Sequence, residues 1–160
     1  MTVNIADRHA APTAVTVVER PRLPVRHQIA IEVAPHEQDV GRARHKLRET
    51  LISWGTEDGE NLRSAELVAS ELLTNAIRYA PREEMALTAA EGAGSLLIEV
   101  EDGGNPSSAP TIQQGVAADA VSGRGMLIVD AMADEWSWRP LPNGGRGTWA
   151  VLPWPGGVAR

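Results

Sequence analysis

Within SELLTNAIRY, residues 70 to 79, Glu71 and Asn75 stand four positions apart, and a carboxylate stacked over a carboxamide adds little to helix stability. On a period of about 3.6 residues the two share a face with Leu67 and Arg78, roughly 100° round from the stripe of Val68, Leu72 and Ala76. An amide oxygen beside a carboxylate suits a hard cation such as Mg2+, which takes one or two protein oxygens and completes its octahedron with water and phosphate oxygens. The carboxylate is then free to act as a base. Taken alone, the two read more simply as a solvated glutamate and a helix-interior asparagine, because short motifs recur by chance.

Three further stretches offer polar groups at the ends of elements. VEDGG, Val100 to Gly104, is an apolar strand running into Asp102 and two glycines, which puts a carboxylate at a sheet rim with backbone that a ligand can approach closely. Such a carboxylate accepts well from a donor like an adenine amino group, and Asp-Gly is equally a common turn dipeptide. In SGRGML, Ser122 to Leu127, Gly123 and Gly125 open a helix whose first N–H groups and positive dipole end attract phosphate oxygens, with Arg124 adding a charge between them. The same residues also serve as a plain loop-to-helix junction. GGRGT, Gly144 to Thr148, leads into a strand, where the Thr148 hydroxyl can reach a ligand or local backbone.

The elements that must carry these groups are legible from periodicity. Gln28 to Val33 alternates as a strand, and a helix follows with Val40, Ala43, Leu47 and Leu51 on one stripe, stopped by Gly55. A second helix runs from about Glu60 to Tyr79 with a broad apolar face of Leu62, Ala65, Val68, Ala69, Leu72, Leu73 and Ala76, and Pro81 ends it. MALTAAE and SLLIEVED form two strands joined by a turn at Glu91 to Gly94, with Leu96, Ile98 and Val100 on one side of the second. Gly104 to Val121 reads as a mobile loop. A short helix, GRGMLIVDAMAD, then precedes two last strands, EWSWRP and RGTWAVLPW, around a turn at Leu141 to Gly145. This order predicts an α+β two-layer sandwich with a mixed, mainly antiparallel sheet and helices on one face.

Composition narrows the function classes. A chain of 160 residues fits one domain, here residues 26–153 between an N-terminal tail over 1–25 and a C-terminal tail over 154–160. Without Phe, and with one Tyr, the core must be aliphatic; Trp136, Trp138 and Trp149 are expected to pack within strands. A net charge of -6, with basic residues clustered only between Arg42 and Arg48, argues against direct nucleic-acid binding. With no cysteine there is no disulfide or thiolate chemistry, which fits a reducing cytoplasm. Neither a secretory leader nor a membrane-spanning run is evident.

Taken together and in this order, the four stretches resemble the nucleotide-binding motifs of the GHKL superfamily, which binds ATP on the Bergerat fold. The nearest likeness is to small anti-sigma-factor serine/threonine kinases of the RsbW and SpoIIAB type, over roughly residues 28 to 152. By that resemblance Glu71 to Asn75 is an N-box, in which Asn75 holds Mg2+ against the phosphates and Glu71 is the general base. Asp102 would accept from the adenine amino group and Gly104 would let the base lie close. Gly123, Arg124 and Gly125 would contact phosphate, Thr148 would support Asp102, and Asn105 to Ser122 would form the ATP lid. One departure is Pro106, which stands where many superfamily members carry a further glycine.

The resemblance implies a cytoplasmic kinase that uses Mg-ATP to phosphorylate Ser or Thr of a STAS-domain antagonist and that binds a sigma factor, commonly as a homodimer. A non-catalytic regulator, in which nucleotide only sets the partner surface, is the alternative that Pro106 keeps open. A sensor histidine kinase fits less well. HEQDV begins like a phosphoacceptor box, but Gly41 takes the usual proline position and no long dimerising helix pair comes first, so His36 is expected at the surface.

Overall fold

A computed structural model describes residues 19–80, 83–104 and 124–155. Five strands and three helices follow in the order β1 (His27–Val33), α1 (Glu37–Ser53), α2 (Glu60–Tyr79), β2 (Met85–Gly92), β3 (Ser95–Asp102), α3 (Arg124–Met132), β4 (Glu135–Pro140) and β5 (Arg146–Pro153). The strands form one sheet in the order β1-β2-β3-β5-β4, and all four pairings are antiparallel. The sheet is thus more regular than the mixed arrangement expected from the sequence. The expected lid, residues 105–122, lies outside the described residues.

The helices cover one face of the sheet because their apolar stripes match the strand alternation. All four stripe residues of α1 and all seven of α2 are buried, against Leu87 and Ala89 of β2, Leu96, Ile98 and Val100 of β3, and Ala150 and Leu152 of β5. The core is aliphatic, with Trp154 at its margin. At the end of α2, Ala80 leaves the helical region at φ -140°, ψ 63°, as a residue before proline must. Between β2 and β3 the turn is tighter than the sequence suggested: Ala93 and Gly94, both at positive φ, alone connect paired Gly92 and Ser95. Two consecutive left-handed residues match the right-handed twist of the flanking strands.

The opposite face of the sheet is also closed in part. Trp149 is fully buried there with Ala90, Leu97 and Val151, and Leu23 packs against them. Arg20 reaches Glu99 at 2.9 Å, and Arg139 grips the same buried carboxylate with two bonds of 2.9 Å. The last residues of the segment expected as a lead-in therefore belong to the packed domain. At the other end, Trp154 is buried and donates its indole N–H to Glu91 at 2.9 Å, so the domain runs past the boundary expected at residue 153.

Candidate functional site

Glu71, Asn75 and Tyr79 follow one another at intervals of one turn along α2, and their face meets the start of α3 and the rim formed by β3 and β5. The helix stripe dictates this placement. With Leu72 and Ala76 fully turned to the sheet, the neighbouring positions 71 and 75 fall at the edge of the core, half-buried. α2 packs against both α3 and β3, so its edge lies beside those elements.

Glu71 has no hydrogen-bond or ion-pair partner among the described residues, and burial pushes its carboxyl above the ordinary value of 4.5. A charged carboxylate loses hydration there without gaining a donor. The start of α3 is seated on it: a Cβ on Gly125 would collide with Glu71 Oε2. Of the other two residues expected at this helix opening, Arg124 begins α3 and Gly123 lies outside the described residues.

Asn75 carries the second signal. Its amide nitrogen is buried with no hydrogen-bond partner, and so is the hydroxyl of Thr148. Buried polar groups are rarely left this way, although Thr56 Oγ1 and Trp149 Nε1 share the condition elsewhere in the fold, and a ligand or water is one way to complete the set. The two ends of the Asn75 amide exchange by rotation about the last side-chain bond, so the same group can present an oxygen to a cation. Among the described residues no group of three or more His, Cys, Asp or Glu side chains is placed to hold a metal ion. A cation held at Asn75 would therefore draw its remaining ligands from phosphate and water, as Mg2+ does. The residues present fit that ion.

Asp102 ends β3 as expected, with most of its acceptor sites already taken. Oδ1 receives the Gly104 backbone N–H at 2.7 Å, and Oδ2 receives Nε and an Nη of Arg146 at 3.3 and 3.1 Å. The two side chains are 1% and 0% exposed. Gly104 is required here, since a Cβ at that position would lie 2.6 Å from Asp102 Oδ1. Thr148 opposes Val100, two pairs along the β3–β5 ladder from Asp102–Arg146, and no contact between its side chain and the carboxylate occurs among the described residues. Arg146 also covers the Tyr79 ring, 4.9 Å from its centroid, and so ties this rim to α2.

Spacing within the sequence did not single out Arg146 or Tyr79. The signal for Arg146 was the β3–β5 register, which sets Asp102 directly opposite it across an interval of 44 residues. His36, exposed at the start of α1, takes no part in the site, in keeping with the surface position expected for it.

Residues 33–154 fit the family model described as the histidine kinase-like ATPase domain, which spans well over half of the chain and contains every described site residue. No curated protein matches the chain.

Proposed function

The chain belongs to the histidine kinase-like ATPase domain family, and from that premise we propose that it is an ATP-binding regulator that transfers phosphate to a Ser or Thr hydroxyl of a protein partner. The observation that carries this reading is the face of α2, where an unpartnered, half-buried Glu71 stands one turn from the orphaned amide of Asn75. Asn75 would hold Mg2+, and the opening of α3 around Gly125 would receive phosphate oxygens. Mg-ATP, when bound, supplies the transferable phosphoryl group and neutralises its charge. Glu71 takes the proton from the acceptor hydroxyl; its raised pKa makes it a stronger base than an exposed carboxylate.

The partners we propose are a STAS-domain antagonist as phosphoryl acceptor and a sigma factor held by the same protein, with a homodimer as the assembled form. Their support is the likeness of ELLTN and the later motifs to the anti-sigma kinases. The acidic net charge favours protein partners over nucleic acid. No helix among the described residues is long and apolar enough to cross a membrane. A cytoplasmic location is part of the same proposal.

Calorimetric titration of Mg-ATP into the wild type and Asn75→Ala tests the site. Binding to the wild type should be measurable and should lose its magnesium dependence in the variant; an unchanged magnesium dependence would remove Asn75 from the metal site. Transfer is tested with γ-labelled ATP and a STAS-domain acceptor, where label stable on Ser or Thr supports the kinase. Nucleotide binding with no transfer to any acceptor would instead favour the non-catalytic regulator.

Gly125→Ala separates chemistry from folding. The new methyl meets the far end of a flexible side chain, so Glu71 can turn aside without backbone movement. The melting temperature should hardly change, while transfer falls by up to about a hundredfold because the base is displaced by roughly an ångström. Full retained transfer would show that Glu71 need not stand where α3 puts it.

A further inference from the structure

We propose that Arg146 is a positioning residue for base recognition: its guanidinium fixes the Asp102 carboxylate so that one acceptor site remains for the amino group of a purine. This inference rests on the nucleotide-binding reading above. An ionised carboxylate offers roughly four lone-pair sites. Three are occupied, one on Oδ1 by the Gly104 N–H and two on Oδ2 by the Arg146 fork, which leaves a single site, on Oδ1. One N–H of an amino group would complete the set.

Stability alone is a poor reason for the pair. Both side chains are withdrawn from water, and a buried ion pair commonly contributes no more than apolar residues of similar volume. What the guanidinium supplies is orientation. Its two N–H groups take Oδ2 from one side, the Tyr79 ring supports it from α2, and the β3–β5 register sets it directly across from Asp102. The carboxylate cannot rotate without breaking both bonds to Arg146 and the bond from Gly104. Held this way, its remaining lone pair presents an acceptor to position 6 of the base, which favours an amino group over an oxo group. A freely rotating carboxyl would discriminate far less.

The test uses ATP and inosine triphosphate, which differ at position 6 by amino against oxo, titrated into the wild-type protein, Arg146→Met and Arg146→Gln. The wild type should prefer ATP by about ten- to a hundredfold, the range of one charge-assisted hydrogen bond. In Arg146→Met the preference should fall to within about threefold of unity, through weaker ATP binding with inosine triphosphate little changed. A merely structural loss would weaken both nucleotides alike and leave the ratio intact. Arg146→Gln retains a neutral donor at the site and guards against a methionine variant that fails to fold; its ratio should also fall. A wild-type ratio in either folded variant overturns the inference while leaving nucleotide binding in place. Wild-type protein that binds neither triphosphate would remove the nucleotide reading, and this inference with it.

Discussion

Asp102→Asn lowers the free energy of unfolding by about 3–5 kcal/mol, and with it ATP affinity falls about ten- to a hundredfold. The first effect comes from Arg146, which is wholly buried and loses the charge that Asp102 sets against it. Its contact with the Tyr79 ring persists but is worth only about 0.5–2 kcal/mol. The pair around Glu99 makes a useful contrast. Glu99 is equally buried, but its partners Arg139 and Arg20 are 28% and 37% exposed, so after Glu99→Gln both cations can turn to water. Asp102→Asn should therefore be the more damaging of the two in chemical denaturation. Combining Asp102→Asn with Arg146→Gln removes both charges and should recover part of the loss. A single Asp102→Asn variant within about 1 kcal/mol of wild type would mean that the guanidinium is compensated by other groups.

That ion pair also marks where sequence reading stopped. The faces of α1 and α2 are legible because burial follows the 3.6-residue period, and the same period sets Glu71 and Asn75 together beside the apolar stripe of α2. Asp102 and Thr148 were legible as strand-end and strand residues flanked by glycines. The order of strands was not. β5 lies between β3 and β4, so its pairing with β3 joins segments that are distant in sequence, and no local pattern specifies that register. Arg146 acquires its partner only through it. The outer face escaped for a similar reason: Arg20 and Leu23 come from an irregular, proline-containing stretch whose contacts on Glu99 and the Trp149 cluster have no periodic signature. The Ala93–Gly94 turn is two residues shorter than the Glu91–Gly94 span expected, because Glu91 is held in the sheet and buried, accepting from Trp154 and paired with His27 at 2.6 Å.

Glu71→Gln should abolish transfer by about 10²- to 10⁴-fold while leaving the protein at least as stable at neutral pH. Both halves follow from one cause, the burial that raises the Glu71 pKa. Glutamine keeps the size and the acceptor oxygen but cannot take a proton, so nucleotide binding should survive and the chemistry should not. The pH dependence has a definite sign. In the wild type, transfer rises with pH as Glu71 ionises through its raised pKa, and that limb should disappear in the variant's residual rate. For stability, the native state binds more protons than the unfolded chain between the ordinary value of 4.5 and the raised one. Wild-type stability therefore declines as pH rises through that window, and above it the desolvation cost of the charge is fully present. Glutamine carries no such cost. Thermal melts across this range should show the variant gaining on the wild type as pH increases and converging with it in acid. A variant that is less stable than wild type at neutral pH would show that the ionised Glu71 is held by favourable contacts. It would then be a structural anion, and the role of base would have to pass to another residue.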